Sequence, residues 1–117
     1  MVLYSELPVY RDSYRLLLDI YRLSSGFTHE YKYSLGQDMK HDALALFRHL
    51  YHANRSADKA QHLEQFLEDF ELLKLELRIC MDLKLLSIKK MAELSQLMDS
   101  IGKQTTAWRN KSKNLSL

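Results

Sequence analysis

His49 and His52 stand three residues apart, a spacing that turns two imidazoles toward similar directions on a helix. Five histidines in 117 residues invite a metal reading, and a di-metal helical bundle is the natural form for it. Such a bundle needs inward carboxylates and a Glu-x-x-His pair on each of two helices. No Glu-x-x-His occurs, and Asp38-x-x-His41 and Asp58-x-x-x-His62 are the nearest approaches. The single cysteine, Cys80, falls in an apolar helical stripe, where burial keeps a thiol protonated and unreactive. It has no partner for an intramolecular disulfide. There is no phosphate loop, no Gly-rich turn and no zinc-ligand spacing. The expectation is a non-enzymatic chain with no catalytic residues, no metal site and no cofactor.

The cations are arranged for different work. Arg11, Arg15 and Arg22 follow at four and seven residues, and Lys40, Arg48 and Arg55 at eight and seven, so each set lines one face of a helix. Such stripes can track phosphates, although solvation of a bundle's exterior is the usual use of these residues. Lys103, Arg109, Lys111 and Lys113 make a third set, with no acid after Asp99. Of seven tyrosines, Tyr4, Tyr31 and Tyr33 lie near element ends, where bases can stack, but core or interface packing is the commoner use of the residue. Net charge is only +2, unevenly spread. Residues 58–82 hold seven acids and three bases, a net of −4, and residues 83–117 hold two acids and seven bases, a net of +5. That asymmetry points to an anionic partner such as nucleic acid, or to contact between oppositely charged faces of neighbouring subunits.

The elements that position these residues are helical. Three glycines and one proline, Pro8 near the amino terminus, leave the interior almost uninterrupted, and the length suits one domain, residues 1–117, around one modest core. No run approaches the roughly 18 apolar residues of a membrane span, and no charged-then-apolar leader opens the chain, so a cytoplasmic protein is expected. Periodicity predicts helices over residues 6–23, 34–54, 58–85 and 88–110, with a basic tail over 111–117. The first carries Leu7, Tyr10, Tyr14, Leu17, Leu18 and Tyr21 as its apolar stripe, and Ser24-Ser25-Gly26 stops it, with Gly26 available for a left-handed cap and an irregular connection over 27–32. Ser34 and Gln37 form a capping-box pattern for the second, whose stripe is Leu35, Met39, Ala43, Leu46, Phe47, Leu50 and Tyr51.

The third helix has two stripes, Leu63/Phe66/Phe70/Leu73/Leu77/Cys80 and Leu72/Leu75/Ile79/Leu83/Leu86, wider together than one bundle face requires. The surplus makes Leu72, Leu75, Ile79 and Leu83 a candidate oligomer interface. Ser87 caps the fourth helix, which presents Met91, Leu94, Met98, Ile101, Thr105 and Trp108. Short turns then make an up-down antiparallel four-helix bundle. Gly36, just inside the second helix, forfeits little helix stability there and admits a close neighbour, with the ring of Trp108 or Tyr33 as the candidates.

The stretches "YSLGQDM" at 33–39, "LLKLELRICMDLKLLS" at 72–87 and "ELSQLMDSIGKQTTAW" at 93–108, with the basic end beyond, resemble the four-helix-bundle family of 23S rRNA intervening-sequence proteins. Within it the sequence is most similar to the accessory variability determinant (Avd) proteins of diversity-generating retroelements. The resemblance covers residues 6–112 and rests on the joint pattern of Tyr33, Leu35, Gly36, Gln37, Leu83–Ser87, Ile101, Gly102 and Trp108. It implies a homopentameric barrel that binds a reverse transcriptase and structured template RNA and supports cDNA synthesis for mutagenic retrohoming without supplying chemistry. The alternative is an intervening-sequence-type bundle, structural or nucleic-acid-binding, with no reverse transcriptase partner. The acidic third helix would repel phosphate unless it faces away or toward a neighbour.

Overall fold

Pro8 sits in the first turn of a helix, where its missing N–H would lack an intrahelical partner in any case, and α1 runs Pro8–Ser25 from that point. A single 3-10 turn, Tyr4–Glu6, precedes it. The computed structural model describes residues 3–115; residues 116 and 117 of the expected tail lie outside it. One helical turn, α2 (His29–Lys32), follows, then α3 (Leu35–Arg55), α4 (Lys59–Asp82) and α5 (Ile88–Leu115). The four long helices pack in the cyclic order α1, α3, α4, α5 as an all-α bundle of 49 × 23 × 22 Å.

The buried stripe of α1 is Val9, Ser13, Leu16, Ile20 and Ser24, one register away from the expected Tyr10/Tyr14/Leu17/Tyr21 face. Tyr14 and Tyr21 stand 47% and 43% exposed. Tyrosine keeps its hydroxyl at water, whereas a small serine lets helices approach and can return its hydroxyl to the helix, as Ser24 Oγ does to the Tyr21 carbonyl at 3.2 Å. Gly26 ends α1 in right-handed conformation (φ −90°), so the expected left-handed cap does not form, and α2 replaces the expected irregular connection.

Ser34 does precede α3, but the capping box is absent: its Oγ donates backward to the Glu30 carbonyl at 2.7 Å. That carbonyl belongs to α2, too short to satisfy it internally, and it outcompetes the forward cap. Gly36 is packed against the end of α1. A Cβ there would fall 3.3 Å from both Ser24 Cβ and the Tyr31 carbonyl and 3.5 Å from the Phe27 ring. The close ring is therefore Phe27, in the connection between α1 and α2, and neither Trp108 nor Tyr33.

All six residues of the first α4 stripe are buried, as are Met39, Ala43, Leu46 and Leu50 of α3 and Leu94, Met98, Ile101 and Thr105 of α5. The α4–α5 turn is a Schellman arrangement: Leu85 N–H donates to the Cys80 carbonyl and Lys84 N–H to that of Met81, with Lys84 at φ 61°. Ser87 Oγ accepts from the Lys90 N–H at 3.0 Å and caps α5. The helix then continues past the expected residue 110 to Leu115, so residues 111–115 are helical and no separate tail begins there.

Candidate nucleic-acid and assembly surfaces

On α1, Arg11, Arg15 and Arg22 are exposed along one side. Arg11 and Arg15 take part in none of the ion pairs among the described residues, and Arg22 meets only Asp19 of its own helix, at 3.9 Å. The neighbouring carboxylates are already engaged by α5: Asp12 accepts from Gln104 Nε2 at 2.7 Å, and Asp19 lies 3.5 Å from Lys90 Nζ. This side of α1 is left positive.

The α1/α3 seam carries aromatic rings. Tyr10 touches Tyr4, Tyr14 and Phe47, and Tyr4 in turn meets Tyr51 with ring centroids 5.7 Å apart. The Tyr4 hydroxyl donates to the Phe47 carbonyl at 2.9 Å, and burial, with Tyr10 beside it, pushes its pKa up to about 12. Cations from α3 lie over two of the exposed rings: Lys40 Nζ is 5.3 Å from the Tyr21 centroid, and the Arg55 guanidinium is 5.1 Å from that of Tyr51 and donates to its hydroxyl. Arg48, on the outside of α3, is exposed.

The carboxyl-terminal cations are placed differently. Lys103 Nζ lies 2.9 Å from Asp99 and Lys113 Nζ 2.6 Å from Glu64 on α4. Arg109 bonds Asn110 and contributes to the field that, after the Lys113 hydrogen bond, holds the Glu64 carboxyl below its usual range. The absence of acids after Asp99 makes this set look unopposed in the sequence; acids from α4 and the preceding turn of α5 supply the neutralisation. Lys111 is exposed. The structure thus brings together the α1 and α3 sets on adjacent helices and leaves Lys103, Arg109 and Lys113 of the α5 set beside acids.

Leu72, Leu75 and Ile79 stand 46%, 54% and 37% exposed on the outside of α4, and Leu83, which caps its end, 43%, whereas Leu86 is buried. A contiguous apolar strip on a helix that already has a buried face is unusual on an isolated surface. Among known protein families, the one described as bAvd-like matches residues 9–112. The chain belongs to that family. Its namesakes are bacterial Avd proteins, related to the 23S rRNA intervening-sequence proteins. No curated protein matches the chain.

Several of the remaining chemistry-bearing residues of this bAvd-like chain pair or pack with one another. His49 Nε2 pairs with Asp69 Oδ2 at 2.6 Å, and His52 lies against His62, centroids 5.4 Å apart. No three His, Cys, Asp or Glu side chains among the described residues are placed to hold a metal ion. No helix among them is long and apolar enough to cross a membrane. Cys80 is buried with Sγ 3.4 Å from Met39 Sδ, and desolvation raises its thiol to about 11. One feature was missed by sequence reasoning: Glu76 of α4 is buried facing Asp42 and Asp38 of α3, with Oε1 unpartnered among the described residues. Its sign in the sequence was an acid between Leu73 and Leu77, at seven residues from Asp69, which pairs with α3.

Proposed function

We propose that this protein is an accessory factor of a diversity-generating retroelement, acting in the cytoplasm as a non-catalytic homo-oligomer, a pentamer on the family's pattern. It binds the reverse transcriptase and the structured template RNA and supports cDNA synthesis for mutagenic retrohoming. Membership of the bAvd-like family carries the reading. The basic side of α1 supports the RNA part, and the exposed apolar strip of α4 supports the assembly.

Arg11, Arg15 and Arg22 are the leading phosphate contacts, because they line one exposed side of α1 and no carboxylate of a neighbouring helix pairs with them among the described residues. Lys103, Arg109, Lys111 and Lys113 contribute less. Several copies in one particle multiply modest contacts by multivalency. The test is fluorescence anisotropy with template RNA across a salt series, with and without the reverse transcriptase. Affinity should fall steeply with salt, since log affinity follows log salt in proportion to the phosphates neutralised. Absence of binding in both mixtures at low salt would defeat the proposal. Binding of RNA with no affinity for the reverse transcriptase would favour the intervening-sequence-type alternative.

A further inference from the structure

Two faces of the protomer remain uncovered, and their residues match in pattern and opposite charge. On α4, Glu68, Leu72, Leu75, Ile79 and Asp82 follow at steps of four, three, four and three, so an exposed acid stands at each end of the apolar strip. On α3, Lys40, Leu44, Tyr51 and Arg55 share a face, with Phe47 bridging the middle, so a cation stands at each end of an apolar strip in which Leu44 and Tyr51 are 47% and 41% exposed. At 1.5 Å per residue the two strips are about 21 and 22 Å long.

The charges are not cancelled within the protomer. Asp12 and Asp19 of α1 turn to α5, and Asp42 of α3 turns to Glu76, and among the described residues no ion pair engages Lys40, Arg48 or Arg55 on the face that carries Tyr14, Tyr21, Leu44 and Tyr51. Glu68 enters no ion pair among the described residues, and Asp82 meets only Arg78 of its own helix, at 3.4 Å with both exposed. A polyanion on the α1/α3 face would satisfy its cations but leave the α4 strip bare. A second copy of this chain covers both strips at once.

Resting on the reading that the chain self-assembles, we propose that the α4 strip of one copy docks head to tail along the α1/α3 face of the next, its terminal acids against the terminal cations. Because the two faces differ, each added copy leaves one of each free until a ring closes. Lys40 and Arg55, with Arg48 beside them on the same face, then serve subunit contact, while Arg11, Arg15 and Arg22, on the side of α1 toward α5, stay outside it.

The experiment mixes two variants, L44E/Y51E and L75E/I79E, each first checked for helicity by circular dichroism, and sizes them by light scattering without RNA or reverse transcriptase. Each alone should be monomeric, and a 1:1 mixture should give a dimer and nothing larger, since each supplies one intact face. A mixture that stays monomeric, or a variant that dimerises by itself, would overturn the proposal, as would a wild-type chain that is monomeric at every concentration. Surface charge reversal covers the case of a misfolded variant: K40E/R55E should dissociate the particle, and E68K/D82K in the same chain should restore it. Unchanged size with weakened RNA binding in L44E/Y51E would assign this face to nucleic acid instead. Because size is read without RNA, loss of RNA or reverse transcriptase binding defeats the proposed function and leaves this test standing.

Discussion

Lys113 Nζ lies 2.6 Å from Glu64 Oε1, tying the last turns of α5 to the beginning of α4. Both side chains are about half exposed, so the pair adds little stability, yet it occupies a cation that the linear sequence leaves unopposed. Lys113→Ala should leave the salt dependence of RNA binding nearly unchanged, whereas Arg15→Ala should make the slope shallower by about one per phosphate it neutralises. Glu64→Gln should strengthen binding by releasing Lys113. Equal slope changes for Lys113→Ala and Arg15→Ala would contradict this ranking.

Gly36 is expected on helix propensity alone to accept alanine with a gain of up to about 1 kcal/mol. Its neighbours reverse that sign. Ser24 Cβ and the Tyr31 carbonyl, both 3.3 Å from the would-be Cβ, are held by backbone and cannot swing aside. Gly36→Ala should therefore destabilise by about 1 kcal/mol, and Gly36→Leu by about 3 kcal/mol, in urea unfolding. A stabilised alanine variant would show that the end of α1 yields easily.

Lys84 holds φ 61°, a conformation that disfavours a residue with a Cβ by about 1–2 kcal/mol. Its N–H closes the α4 terminus on the Met81 carbonyl, so the conformation is required and only the side chain is costly. Lys84→Gly should raise stability by about 1 kcal/mol, visible as a higher melting temperature with unchanged helicity. A lower melting temperature would mean that the lysine side chain makes a compensating contact.

Burial, then the hydrogen bond and negative charge of Asp42 and the charge of Asp38, push the Glu76 carboxyl up from 4.5 to about 8. A carboxyl that holds its proton more tightly when folded contributes stability that is fully present below pH 4.5 and is lost as pH rises through about 8. Glu76→Gln keeps the shape and removes the titration. The stability difference between variant and wild type should grow from pH 5 to pH 9 in favour of glutamine, and a flat difference would refute the assignment.

Legibility in the sequence followed side-chain chemistry. The stripe from Leu63 to Cys80 read correctly because its members are apolar throughout and recur at helical spacing. The stripe of α1 read one register off because tyrosine scores as apolar while its hydroxyl draws it to the rim, and Ser13 and Ser24 score as polar while their size suits the interior. Ser34 marked the start of α3 but not its partner, which depended on the unforeseen turn α2. The face of α4 left outside the core was visible in the doubled stripe. The pairs Lys113–Glu64 and Asp12–Gln104 were not, since each joins residues dozens of positions apart whose meeting is fixed by the packing of whole helices.

Cys80 gives this bundle a built-in clock. As the one thiol in the chain, closed between α3 and α4 against Met39, it meets an alkylating reagent only when that seam opens. Its labelling rate, set against that of the unfolded chain, counts the openings of a single helix pair at one sulfur atom, on the scale from local fraying to global unfolding. No probe need be engineered into the molecule to follow how a neighbour docked on α4 slows that breathing.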